Sequence, residues 1–231
     1  MSQTAAPRAW EMTTAARSAH SAVAGIAAAG VASSLYLGWT VDTELPDGAG
    51  FSGGFSAGWE HVLNQPAYFT FTSAVLVLLT SAVLAVRPQI RSAVFHALRL
   101  AAVAQMVITG VVFNLLLRDD AVLTGVRLFN DTVMHQLLPV VVPVVWLAFG
   151  PRGRITGSVV AGSVVLPLVW LAVTLLRGPG LDWYPYVILD VPGMGYSGTG
   201  VYIVSILAGY VLLACLLWGL DRLLTPGRRR R

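Results

Sequence analysis

Lysine is absent from this sequence, and all fifteen basic residues are arginine. Charge of either sign is scarce. Charged residues make up 11% of the 231 positions, where a soluble domain carries roughly 25%. So few charges cannot cover a water-facing surface. With 56% hydrophobic residues and a mean hydropathy of +0.72, the chain is built for lipid. Cysteine is nearly missing as well. Cys215, the single one, sits in an apolar run and excludes an internal disulfide and a cysteine metal cluster. The net charge of +4 does not point to nucleic acid, because the arginines lie between apolar runs and in the C-terminal tail and form no basic face. Short segments of alternating polarity, which a membrane barrel would need, are also lacking. Helices, which satisfy their own backbone in lipid, remain.

What is present is a series of long apolar runs. A crossing helix needs about 20 apolar residues, and six stretches qualify: 18–40, 68–86, 94–117, 132–149, 155–176 and 199–220. The fold class expected is an all-α integral membrane protein, a six-helix bundle over 18–220. It is flanked by a cytoplasmic N-terminal segment, 1–17, and a basic cytoplasmic tail, 221–231. The alanine-rich Ala22–Ser34 stretch after Arg17 has the look of a signal peptide. Its apolar run continues to Trp39, which is long for a signal core, so it is read as a retained span.

Arginine sets the orientation. Arg8, Arg17, Arg87, Arg91, Arg99, Arg152, Arg154, Arg222 and Arg228–Arg231 fall on one side, and Arg118, Arg127 and Arg177 on the other. Both termini are therefore expected in the cytoplasm of a bacterial cell membrane, with Arg228–Arg231 as an anchor near anionic lipid. The outer loop from Asp42 to Ala67 has four acids and no arginine, and its glycines read as flexibility.

The spans sort the polar residues by depth. Thr70 opens the second span about one turn below the outer surface, and His135 lies at matching depth in the fourth. Asn114 and Arg118 end the third, and Arg177 ends the fifth. The last outer loop adds Asp182, Trp183, Tyr184, Tyr186 and Asp190. Ionisable groups at membrane depth are costly, which makes such a convergence a site hypothesis. Each member also has a plainer reading. Thr70 can bond back into its own helix, Asn130 or Asp131 can cap the fourth span, and the arginines and aromatics can sit at headgroup level. His135 stands out because Asp131 precedes it by four residues on the same helix face. Such an acid can orient an imidazole, and the imidazole can activate a hydroxyl such as that of Thr70.

Several short motifs, in order, resemble the family of the androgen-induced and androgen-dependent TFPI-regulating proteins, especially its bacterial branch. They are Tyr68-Phe69-Thr70-Phe71, Val112-Phe113-Asn114 with Leu116-Leu117-Arg118, Asp131-Thr132-Val133-Met134-His135 before Pro139, and Trp183-Tyr184-Pro185-Tyr186 before Asp190-Val191. The resemblance covers roughly two-thirds of the chain. It implies a membrane hydrolase of fatty acid esters of hydroxy fatty acids, with Thr70 as nucleophile and His135 as base. Animal members carry an asparagine-histidine pair where this chain has Asn130-Asp131, and the outer loop has no counterpart.

The function expected is thus hydrolysis of an amphiphilic ester entering from the bilayer, with no metal and no cofactor. Asn114, Arg118, Arg177 and Tyr184 are the candidates for binding the oxyanion or a substrate carboxylate. Asn130, Tyr186 and Asp190 are candidates for the surrounding shell. The rival readings are a non-enzymatic protein that binds or transports a lipid or small molecule, and a haem protein. Haem would want facing histidines, whereas His96 and His20 are expected at the opposite membrane face from His135. His61, in the outer loop, is read as a solvated surface residue.

Overall fold

The computed structural model describes residues 13–225. Arg8 of the N-terminal segment and Arg228–Arg231 of the tail lie outside the described residues. Among the described residues there is no strand, and six helices are long and apolar enough to cross a membrane. In chain order the helices are α1 (Thr14–Thr40), the short α2 (Trp59–Asn64), α3 (Phe69–Val86), α4 (Ala93–Leu117), α5 (Gly125–Phe149), α6 (Gly157–Leu181) and α7 (Val191–Leu223).

α4 is the centre of the bundle and packs against α3, α5, α6 and α7, while α1 covers α3 and α5. Its run from Leu100 to Met106 is buried at every position. A run buried all round is apolar at nearly every position, Gln105 being the exception here, and the three alanines at 101, 102 and 104 let neighbouring backbones approach. Starts are capped by side-chain oxygens, each accepting a free N–H of the first turn. Ser92 serves α4, Thr156 serves α6 and Asp190 serves α7.

Three expected boundaries differ by at least about five residues. α5 begins seven residues before 132, at Gly125. Asn130 and Asp131 count against a span in hydropathy, but both face protein partners. α6 runs on from 176 to Leu181, and α7 starts at Val191, where Asp190 caps a glycine-rich turn that hides the helix from a pattern search. The chain leaves helical geometry once within α7, at Gly195 (φ 68°).

One end of the bundle gathers the arginines. Arg17 Nε donates to the Ala85 carbonyl at 2.9 Å and Arg99 Nη1 to the Pro151 carbonyl at 3.4 Å. Asp221, fully buried, accepts the amides of Gly153 (2.9 Å) and Ile155 (3.1 Å). The start of α1 and the end of α7 therefore share this end. His96 sits here too, near the start of α4. About 18 residues of helix, or roughly 27 Å, separate it from the site end of α4.

The opposite end is closed by loops, and here the expectation of flexibility fails. Phe51 and Phe55 are buried against Tyr184 and Trp183. Gly53 N donates to the Asp182 carbonyl at 2.7 Å and Gly50 N to Asp190 Oδ2 at 2.6 Å. A β-carbon at Gly50 or Gly53 would meet backbone atoms at 2.4 and 2.2 Å. These glycines are there for close approach, not for freedom. His61 is likewise not a solvated surface residue. It is 7% exposed, and its Nδ1 bonds to the Val41 carbonyl at 2.8 Å.

Candidate active site

At the loop-covered end, two stretches of helix depart from α geometry and face each other. Phe113–Leu117 of α4 and Thr132–Leu137 of α5 are both wound as π-helix. Single π turns often mark functional sites, and here a cause is visible. Pro139 has no N–H for the carbonyl of His135, four residues before it. Asn114 Nδ2 takes that carbonyl instead, at 3.1 Å. Gly110 permits the contact, since a β-carbon there would meet Pro139 Cβ at 2.5 Å.

The His135 ring is fixed on three sides. Its Nδ1 bonds to Asp131 Oδ1 at 3.0 Å, and its Nε2 lies 3.4 Å from Thr70 Oγ1. The Phe113 ring stacks on it, with centroids 3.5 Å apart and planes 4° from parallel. Arg118 completes the line, pairing with the second oxygen of Asp131 at 3.3 Å while its guanidinium lies 5.2 Å from the Phe113 centroid. Threonine, histidine and aspartate thus form a continuous chain across α3 and α5. Thr70 and His135 are partly buried, and Asp131 behind them is buried.

Thr70 occupies the first turn of α3, where backbone N–H groups have no partner within the helix. The Thr70 amide donates to the hydroxyl oxygen of Tyr186 at 3.4 Å. That oxygen is thereby used as an acceptor, and the phenolic proton is left to point elsewhere. Burial raises the Tyr186 pKa above its ordinary value, so the phenol is a donor at neutral pH. Tyr186, assigned from sequence only to the surrounding shell, thus touches Thr70 directly through its hydroxyl.

Two cavities meet at these residues. A narrow one of about 90 Å³ is apolar and runs between α4, α6 and α7 past Ile108, Ile206 and Leu207 to Tyr210. The other, about 520 Å³, is a more polar vestibule bounded by Glu44, Asp47, Asp119 and Asn130. Thr70, Phe113, Leu117 and Tyr186 belong to the walls of both, and His135 to the vestibule.

The remaining expected site residues take other places. Asn114 is committed to structure. Its Nδ2 donates to the carbonyls of Gly110 and His135, and its Oδ1 accepts from Arg118 Nε and Gln136 Nε2. Asn130 donates to Ser33 Oγ and Ser34 Oγ, both at 2.8 Å, which ties the histidine-bearing helix to α1. Asp190 is a helix cap and loop anchor, its two oxygens taken by the amides of Gly50 and Gly193. Tyr184 is buried among Phe51 and the loop aromatics, lying over Gly178, where a β-carbon would meet its ring at 2.2 Å. Arg177 bonds to Asn64 Oδ1 at 2.6 Å and faces a separate groove. The sequence reading missed Phe113 as a ring partner and Gln136 as a brace. Phe113 lies one residue before Asn114 in a recognised motif, but the π winding that turns it onto His135 has no pattern signature.

Among the described residues no group of three or more histidines, cysteines, aspartates or glutamates is placed to hold a metal ion. Comparison of the chain with known family models, with characterised proteins and with solved structures finds no match. What the structure defines is therefore a class, an all-helical protein with six apolar spans and a threonine–histidine–aspartate line where two cavities join.

Proposed function

We propose that this chain is an intramembrane lipid ester hydrolase with Thr70 as nucleophile and His135 as base. The observation that carries this reading is the position of the Thr70–His135 pair, where an apolar cavity meets a polar vestibule. That arrangement suits an ester whose acyl chain is apolar and whose alcohol half is more polar. The motif resemblance supports the same reaction and suggests fatty acid esters of hydroxy fatty acids, or similar amphiphilic esters, as substrates. By the arginine distribution, the site lies in the outer leaflet of a bacterial cell membrane, with both termini in the cytoplasm.

In this mechanism His135 Nε2 takes the proton of Thr70 Oγ1 as that oxygen attacks the ester carbonyl. The present 3.4 Å separation tightens when substrate binds, as is usual for catalytic hydrogen bonds. Asp131 accepts a hydrogen bond from the Nδ1–H of His135, which fixes the tautomer and stabilises the imidazolium. The Tyr186 hydroxyl donates to the oxyanion of the tetrahedral intermediate. Collapse breaks the bond to the alcohol, which leaves with the proton from His135 into the vestibule. Water from the same side, deprotonated by His135, then attacks the Thr70 acyl ester, and the acid is released as His135 returns the proton to Thr70 Oγ1.

A lipophilic fluorophosphonate probe tests this directly in nanodiscs. Wild type is expected to label covalently, and Thr70→Ala and His135→Ala, confirmed folded, are expected not to. Labelling that survives Thr70→Ala would remove Thr70 as nucleophile. A folded wild type that does not label would overturn the hydrolase and favour the reading of the cavities as a lipid-binding or transport site.

A further inference from the structure

A third cavity lies outside the site described above. It is a groove of about 260 Å³ between α3 and α6, with Leu166, Val169 and Val173 along one wall and Arg177 at its mouth. Phe69 and Trp170 separate it from the apolar catalytic cavity, their rings meeting edge to face at 4.9 Å. Two of its polar groups are short of partners. Arg177 donates to the neutral Asn64 Oδ1, and no carboxylate of the described residues pairs with it. Gln105, 1% exposed and deeper in the groove, has its Oε1 engaged by Ser73 Oγ at 3.3 Å, but its Nε2 has no acceptor. A buried amide donor left without an acceptor is costly, and apolar walls supply none.

The groove thus offers an unpaired cation at its mouth, a free N–H donor below and an apolar wall beside it. We propose that it is a binding site for an anionic glycerophospholipid. The phosphate sits at Arg177, where a guanidinium matches phosphate oxygens, an acyl ester carbonyl accepts from Gln105 Nε2, and the chain lies along Leu166, Val169 and Val173. Both unpaired groups then gain partners of the right sign, and the groove is filled from the bilayer. The inference is independent of the hydrolase reading, because it concerns a different cavity and needs no chemistry.

Native mass spectrometry of the detergent-purified full chain, titrated with dimyristoyl phosphatidylglycerol or with the phosphatidylcholine of the same chains, tests it. Wild type is expected to retain one phosphatidylglycerol about tenfold more tightly than phosphatidylcholine, whose choline cation offsets the attraction of its phosphate for Arg177. Arg177→Gln removes the preference, and Gln105→Leu weakens both lipids. Gln105 is a core residue, so Val173→Trp, on the half-exposed wall of the groove, gives the second arm and displaces both lipids by filling the space. A wild type without preference, an Arg177→Gln variant that keeps it, or undiminished binding to Val173→Trp would overturn the proposal.

Discussion

The arrangement at His135 depends on which nitrogen carries the proton. Asp131 Oδ1 faces Nδ1 at 3.0 Å and Thr70 Oγ1 faces Nε2 at 3.4 Å. A carboxylate can only accept, so it holds the proton on Nδ1 and leaves Nε2 free for the threonine. Asp131→Asn keeps the shape but can donate to Nδ1, which favours the tautomer that cannot act as base. If the proposed hydrolysis holds, kcat should fall by about 10²–10⁴-fold with KM little changed, the behaviour known for such a substitution in serine proteases. Steady-state kinetics on a soluble short-chain ester would show it, and an unchanged kcat would make Asp131 a structural partner only. The neighbouring Asn114, one of the candidates for binding the oxyanion or a substrate carboxylate, has its amide engaged by protein partners and braces the site. It replaces the backbone donor that Pro139 lacks, so its role should vanish once that donor returns. Asn114→Leu should cost about 1 kcal/mol alone and distinctly less in a Pro139→Ala background, as read from a double-mutant cycle of thermal unfolding. Equal costs in both backgrounds would show that the carbonyl of His135 finds water or another donor.

The helices themselves were legible because long apolar runs admit few readings. The i,i+4 spacing of Asp131 and His135 was legible for the same kind of reason, since helix geometry fixes which residues share a face. The π winding of Phe113–Leu117 and Thr132–Leu137 was not, because it arises where Gly110, Asn114 and Pro139 meet across two helices. Nor was the order of the outer loop, which comes from contacts distant in sequence. Gly50 and Ser52 meet the loop before α7 through carboxylates 140 and 130 residues away. One of these contacts carries a pH dependence. Asp182 accepts from the Ser52 hydroxyl at 2.6 Å and the Ser52 amide at 3.1 Å, and these bonds hold its pKa below the ordinary carboxylate value. A depressed folded-state value contributes order above the unfolded pKa and loses it as pH falls through the folded one, so the window lies below about pH 4. Hydrogen exchange of the residue 50–55 amides should rise there in wild type. In Asp182→Asn it should already be raised at pH 7 and should change little on acidification. Identical profiles for the two proteins would remove Asp182 from the loop's support.

For the molecule as a whole, charge is the residue of an insertion decision. Arg17, Arg87, Arg91, Arg99, Arg152, Arg154 and Arg222 lie at the end where α1 begins and α7 finishes, while Arg118, Arg127 and Arg177 lie at the end that holds the site. Lysine and arginine near span ends are retained on the cytoplasmic side, while acids contribute little to the decision. The expected orientation therefore puts the vestibule on the far side from the cytoplasm, so substrate would come from the outer leaflet and the released alcohol would leave outward. The single cysteine makes this measurable. With Cys215 changed to serine, Ser56→Cys in the outer loop and Ser158→Cys at the start of α6 are both exposed positions at opposite ends. A membrane-impermeant maleimide applied to intact cells should label Ser56→Cys at once and Ser158→Cys only after permeabilisation. The reverse pattern would turn the molecule over, and the vestibule would then draw its ligands from the cytoplasmic leaflet. The arginines at the α1 and α7 ends would in that case need an explanation other than topology, and the buried contacts of Arg99 with Pro151 and of Arg152 with the Leu147 carbonyl, which close off the end of α5, would be the first to consider.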